Sequence, residues 1–270
     1  MKNMPILCDY HMHTYLCGHA DGAPDDYIEH AIDIGLEEIG FSDHAPFVSH
    51  VDPTVTMSLK QYPEYIGLIE RLQKKYAKEI VIKMGIEADF MAGYEQKTKQ
   101  LLGQHPFDYI IGSVHFINEW AFDNPDERPK WDNKDVNHIY RVYHELLRKA
   151  AQSKMFDVMA HVDLLKKFGD RATTDLSKEI RKTARVFKEC GVAIEINSSG
   201  LRKPVKEIYP ALSDLKIYCQ EGVPIVFGSD AHEPQHVGMD FDKAFLWAKK
   251  AGYKQYLTFK NRKIEKKINF

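Results

Sequence analysis

Seven short apolar runs along this chain each stop at a side chain that can bind a metal or a polar ligand. Tyr10 gives way to His11-Met12-His13, and Ile39-Gly40-Phe41-Ser42 runs into Asp43-His44. Met84-Gly85-Ile86 stops at Glu87, Ile110-Ile111-Gly112-Ser113-Val114 at His115, and Val158-Met159-Ala160 at His161. Ile194-Glu195-Ile196 stops at Asn197, and Val226-Phe227-Gly228-Ser229 at Asp230-Ala231-His232. Short apolar runs bounded by polar residues read as buried strands. Seven strands that aim nitrogen and oxygen donors at one rim describe a barrel with a multinuclear metal site.

Between the runs the apolar period becomes helical. Val136, Ile139, Tyr143, Leu146, Leu147 and Ala150 form one amphipathic stripe, and Tyr65, Leu68, Ile69, Leu72 and Tyr76 repeat it. Pro24 followed by Asp25 and Asp26 reads as a helix start, with acids at the positive end of the dipole. Gly35, Gly191 and Gly222 come just before strands, where a helix-ending glycine belongs. The pattern predicts strand-helix units with helices near 24–35, 61–78, 95–104, 135–153, 175–190, 207–221 and 241–251. This is an α/β chain with a parallel sheet, read as one domain over 1–270. Two long loops, 45–60 and 116–134, follow donor-bearing strand ends; the second carries Trp120, Phe122 and Trp131 and suits a pocket wall or a packing loop. Residues 256–264 read as a terminal hairpin without chemistry.

A formal charge of -2 gives no electrostatic reason to expect nucleic-acid or membrane binding. The basic stretch Lys260 to Lys267 reads as a solvated face. Cys8, Cys17, Cys190 and Cys219 are far apart, which fits a reduced, cytoplasmic setting, and His11 interrupts any signal-peptide core at the N-terminus. Cys17, close to His19, reads first as a small loop residue and second as a soft ligand. The oligomeric state is left open.

His-x-His at a strand end places both imidazoles on one face, because side chains alternate with a period of two. His11 and His13 gain weight from their companions His19, His44, Glu87, His115, His161, Asp230 and His232, all in or after strand ends. His30, His138 and His144 fall on helices and read as surface or core residues. His50 and His236 lie in rim loops.

Cys8-Asp9-Tyr10-His11-Met12-His13-Thr14, Cys17-Gly18-His19, Phe41-Ser42-Asp43-His44, Gly85-Ile86-Glu87, Gly112-Ser113-Val114-His115, Ala160-His161-Val162-Asp163 and Gly228-Ser229-Asp230-Ala231-His232 closely resemble the polymerase-and-histidinol-phosphatase (PHP) superfamily. The resemblance runs from residue 6 to about 250. Within the superfamily the chain looks most like the monofunctional histidinol-phosphate phosphatases, through Gly112 to Ile117, Phe122-Asp123-Asn124-Pro125 and Glu195 to Lys203. It implies a distorted (β/α)7 barrel and three divalent metal ions. His11, His13, Glu87 and Asp230 would hold the first, Glu87, His115 and His161 the second, and His19, His44 and His232 the third. Imidazole and carboxylate without thiolate suit zinc, manganese or iron alike.

Three divalent ions held by two carboxylates would leave an excess of about four positive charges, suited to a phosphate monoester and a hydroxide. The expected reaction is hydrolysis by water deprotonated between two ions, with L-histidinol phosphate, a small molecule of histidine biosynthesis, as the implied substrate. Arg202 is the candidate phosphate cation, with Ser198 and Ser199 as further donors. His232, Asp230 or a bound water would protonate the leaving alkoxide. Asp43, Glu119, Asp163 and Glu195 stand near the rim as acids for the substrate's ammonium and imidazole, and Asp163 is also placed to orient a ligand. The alternatives are a related phosphoesterase on another monoester or nucleotide, a metal-dependent amidohydrolase, and a non-enzymatic polymerase-associated domain.

Overall fold

A computed structural model describes residues 6–270. The strands are β1 (Cys8–Asp9), β2 (Glu38–Phe41), β3 (Val81–Asp89), β4 (Tyr109–Ser113), a short hairpin of β5 (Phe116–Ile117) and β6 (Trp120–Ala121), β7 (Val158–Met159), β8 (Ala193–Asn197), β9 (Ile225–Gly228), β10 (Gln255–Lys260) and β11 (Lys263–Asn269). Seven of them pair in parallel in the order β1-β2-β3-β4-β7-β8-β9. The ends of this sheet meet: the Tyr10 amide donates to Phe227 O at 3.2 Å, His13 to Ala231 O at 2.9 Å, and Ala231 to His11 O at 3.1 Å. The sheet is therefore a seven-stranded α/β barrel, as the run-and-donor pattern predicts.

The helices are α1 (Pro24–Asp33), α2 (Tyr62–Lys75), α3 (Glu95–Leu102), α4 (Val136–Gln152), α5 (Ser177–Cys190), α6 (Leu212–Glu221) and α7 (Phe241–Ala251). Pro24 opens α1, and Asp26 accepts from the Ala23 amide at 3.2 Å. Gly191 and Gly222 end α5 and α6 with φ of 74° and 79°, the left-handed stop that glycine adopts without strain. The sixth helix starts later than its predicted residue 207. Tyr209 precedes Pro210, which disfavours helical backbone, and it exchanges amide-carbonyl bonds with Asn197 instead.

Helices cover the sheet's outer face, so β3 is buried almost throughout and reads as a continuous apolar run. Inside the barrel, Tyr109 stacks on Tyr10 with ring centroids 4.7 Å apart. Its hydroxyl donates to Tyr10 O at 2.7 Å. Gly40 and Gly85 make room for it, since a Cβ there would lie 2.1 Å and 2.3 Å from the Tyr109 ring and hydroxyl. The β10–β11 hairpin, turned at Asn261 and Arg262, closes the same end: the Phe259 amide donates to the Tyr10 hydroxyl at 3.1 Å. The donor residues of the seven runs gather at the opposite, carboxyl ends of the strands, while Glu38 and Lys83 pair at the closed end beside Tyr10.

The 116–134 segment folds as the β5–β6 hairpin and a 3-10 turn at Pro125–Trp131. Trp120, Phe122 and Trp131 are buried, with Phe122 edge-on to Tyr143. It is mainly a packing loop and sends only Asp123 to the main pocket. Among the described residues no helix is long and apolar enough to cross a membrane.

Candidate metal centre

Eight of the nine donors stand at or near a strand end. His11 and His13 continue β1 with alternating side chains, Glu87 lies near the end of β3, and His44 pairs in parallel with Glu87 just beyond β2. His115 and His161 follow β4 and β7, while Asp230 and His232 follow β9. His19 comes after the 3-10 turn Tyr15–Cys17. Two site residues hold left-handed backbone without being glycine, His161 at φ 26° and Asp230 at φ 52°. Such backbone is uncommon for any residue but glycine and carries about 1–3 kcal/mol of strain. The turn at His161 is held by its amide donating to Glu195 Oε2 at 3.2 Å and by the Tyr143 hydroxyl donating to its carbonyl at 3.3 Å.

All nine side chains converge. Glu87 sits at the centre and uses both oxygens. Oε2 lies 3.1 Å from His11 Nε2, 3.1 Å from His44 Nδ1 and 3.7 Å from His13 Nε2. Oε1 lies 3.3 Å from His161 Nε2 and 3.9 Å from His115 Nε2. Asp230 Oδ1 is 3.3 Å from His13 Nε2 and 3.8 Å from His11 Nε2. His19 Nε2 and His232 Nε2 face each other at 2.9 Å. Three groups whose ligand atoms lie within 4.8 Å of one another take in the nine without overlap: His11, His13 and Asp230; Glu87, His115 and His161; His19, His44 and His232.

The donors fit divalent ions. Nε2 of the buried His13 lacks a hydrogen-bond partner among the described residues, and with Asp43 on its Nδ1 side that nitrogen's buried lone pair is costly unless a cation meets it. Burial pushes the Glu87 carboxyl up, but His44 and His11 outweigh it and hold the group well below the carboxylate range. Asp230 is likewise held well down, with His11 and His13 overcoming burial. Burial, reinforced by the neighbouring His13, pulls His232 well down; it also pulls down His44, against the pull of Glu87. Burial opposes charge on His11, His13 and His115 too, but Glu195, Asp230 and Asp89 respectively outweigh it and raise all three, so a divalent ion there would have to displace their protons. The ionised carboxylates and the neutral His44 and His232 already have the forms that bind metal. The Cys17 sulfur also comes near His13 and His232, but burial and then Asp43 push its thiol well up, away from the thiolate a ligand would need.

Seven of the nine side chains, all but the fully buried His11 and His13, line a cavity of about 500 Å³ that is also lined by Arg202, Lys203, Lys167, Asp123, Ser199, Glu233 and His236. Arg202 Nη2 donates to Ser229 O at 2.5 Å, while its buried Nη1 has no partner among the described residues. Ser199 Oγ donates to Asp230 Oδ2 at 3.0 Å.

Other expected substrate contacts lie elsewhere. Ser198 is committed to Met239 O at 2.7 Å and does not line the cavity. Glu119 sits beyond Asn118, whose φ of 58° turns the β5–β6 hairpin, and it lines two separate cavities. Asp163 accepts from the Ala211 amide at 2.7 Å and from Lys166 Nζ at 2.8 Å, and lines a different cavity of about 300 Å³. Asp43 is buried, accepts from the Thr14 amide at 3.2 Å, and lies 3.5 Å from His13 Nδ1, so it backs His13 and does not face the cavity. Glu195 turns inward to His11 Nδ1 at 2.7 Å.

Sequence reasoning missed Lys167, Lys203 and Asp123 as pocket residues and Asp89 as the partner of His115 Nδ1 at 3.0 Å. Asp89 was open to discovery, since it lies two residues beyond Glu87 on one strand and shares its face.

The PHP domain family matches residues 9–199 of this chain. The chain is 40% identical to a probable histidinol-phosphatase of Deinococcus radiodurans, over 97% of this chain and 100% of that protein. It is 31% identical to the histidinol-phosphatase of Bacillus subtilis, over 88% and 97% of the two chains. The fold superposes on the crystal structure of histidinol phosphate phosphatase from Lactococcus lactis, complexed with zinc, L-histidinol and phosphate, with a TM-score of 0.83. That pair is 26% identical and the match covers 96% of this chain and 98% of the other.

Proposed function

The chain belongs to the PHP-domain family, and on that premise we propose that it hydrolyses L-histidinol phosphate to L-histidinol and phosphate, a step of histidine biosynthesis. One observation carries the reading: nine ligand-type side chains cluster together, seven of them lining one cavity with three cationic ones, in a chain 40% identical over its length to a probable histidinol-phosphatase.

His11, His13, Asp230 and Glu87 would hold one divalent ion, Glu87, His115 and His161 a second, and His19, His44 and His232 a third. Zinc is the ion in the Lactococcus lactis relative. Ions held there would acidify a water for attack on phosphorus and draw off charge from the phosphoryl oxygens.

The chain's own side chains do the rest. Arg202 offers its unpartnered Nη1 to a phosphoryl oxygen, and Lys203 and Lys167 add positive charge on the same wall. Lys167 is braced by Asp123, whose Oδ2 accepts from its Nζ at 2.9 Å. Asp123 and Glu233 are the pocket's acids away from the ligand set and suit the substrate's ammonium and imidazole. The ionised Asp230 and neutral His232 suit ligand roles better than that of proton donor to the leaving alkoxide.

Phosphate release from L-histidinol phosphate, measured against a panel of phosphomonoesters on protein of known zinc content, tests the reading. A strong preference for histidinol phosphate is expected. Equal rates across the panel would leave a general phosphomonoesterase, and no phosphate release from any member would remove the hydrolase reading altogether.

A further inference from the structure

The strand that supplies no ligand carries a fully buried carboxylate in the middle of the site. Glu195 lies in β8 between Ile194 and Ile196 and is 0% exposed. An ionised carboxylate in such surroundings is very costly unless N–H groups satisfy it. Here three do. Oε1 lies 2.7 Å from His11 Nδ1, while Oε2 accepts from Asn197 Nδ2 at 2.9 Å and from the His161 amide at 3.2 Å. His11 and His161 belong to different ligand groups, so one side chain ties both groups together.

The neighbouring strand is built around this carboxylate. A Cβ on Gly228 would lie 1.9 Å from Glu195 Oε1 and 2.7 Å from His11 Cβ. Any side chain there would push Glu195 off His11.

We propose that Glu195 is a positioning residue that sets the two inner cation sites in register. The inference rests on the metal-centre reading above. Accepting from His11 Nδ1–H fixes the tautomer, so that the Nε2 lone pair points toward Glu87 Oε2, 3.1 Å away. Accepting from the His161 amide holds the strained turn that carries the second site's imidazole.

The test is zinc affinity, measured by competition with a chromophoric chelator on protein whose fold is checked by circular dichroism. Glu195→Gln should weaken the tightest zinc sites by about 10- to 100-fold, the usual cost of losing a carboxylate behind a metal-bound histidine. Glu195→Asp, one methylene short of His11, should restore little of that affinity. Glu38→Gln is the control for a merely structural carboxylate. Glu38 is also buried in the barrel, but it bonds Tyr10 and lies beside Lys83. That variant should lose thermal stability and keep wild-type zinc affinity.

Unchanged zinc affinity in Glu195→Gln, or equal losses in Glu195→Gln and Glu38→Gln, would overturn the proposal. If Glu195→Gln does not fold, Asn197→Ala removes one of the three N–H donors and leaves the carboxylate in place. A several-fold zinc loss is then expected, and none would overturn it. Failure of the wild-type protein to bind zinc would defeat the metal reading itself, a separate outcome.

Discussion

The inner part of the pocket and its rim are built from the same residue type but on different terms. The inner groups contain both carboxylates, Glu87 and Asp230, and several of their imidazoles have an acid behind them. Glu195 lies 2.7 Å from His11 Nδ1, Asp89 3.0 Å from His115 Nδ1, and Asp43 3.5 Å from His13 Nδ1. The rim group is His19, His44 and His232, with no carboxylate of its own. His19 Nδ1 faces the Cys17 carbonyl at 3.1 Å, while His44 Nδ1 lies 3.1 Å from Glu87 Oε2 and His232 Nδ1 3.4 Å from Asp230 Oδ1, so the rim only borrows the anions of the inner groups. His19 is exposed, whereas His11 and His13 are fully buried. Anionic ligands, carboxylate-backed imidazoles and exclusion of water all strengthen metal binding. The inner sites should therefore retain their ions, and the rim site should exchange.

The hardest blow to that contrast comes from its centre. Glu87→Gln removes the anion shared by both inner groups, and turnover should fall by about a thousandfold or more, at or beyond the loss of a single transition-state donor. Metal analysis should show the inner ions lost; an unchanged metal content would break the assignment of Glu87.

Removing the proposed phosphate cation should separate charge from coordination. Arg202→Ala should cost about 10- to 150-fold in turnover, equivalent to one charged hydrogen bond, with metal content unchanged. Normal turnover would retire the phosphate role and leave Arg202 as a brace for Ser229.

At the rim, His19→Ala should lower the zinc content by about one ion per chain and leave the inner ions in place. Loss of all zinc in that variant would mean that the three groups bind as one unit. The smallest effect is kinetic. In wild-type protein titrated with a chelator, zinc should leave in two phases, the first matching the ion missing from His19→Ala. A single phase would erase the distinction between rim and interior.

Much of this was legible before any coordinates. Strand alternation and the barrel rule bring run-ending donors together however far apart they lie in sequence, which is how the His13 and His232 rings come to stack 4.1 Å apart. The supporting residues were harder to read. Glu195 between two isoleucines marks an inward charge, but the partner of that charge depends on Gly228 allowing close approach. Lys167 and Asp123 meet across 44 residues through the packing of two loops, which no local period encodes. Glu119 was misplaced because one left-handed residue, Asn118, redirects its hairpin. The late start of α6 follows from Tyr209 pairing with Asn197, a long-range bond that overrides the helical stripe.

The metal-to-protein ratio of purified, zinc-loaded protein bears most directly on the central claim that nine side chains form one centre. A ratio of about three zinc ions per chain is the expected result, one for each ligand group. A ratio of one or less would contradict it, because the convergence on Glu87 would then be packing without coordination.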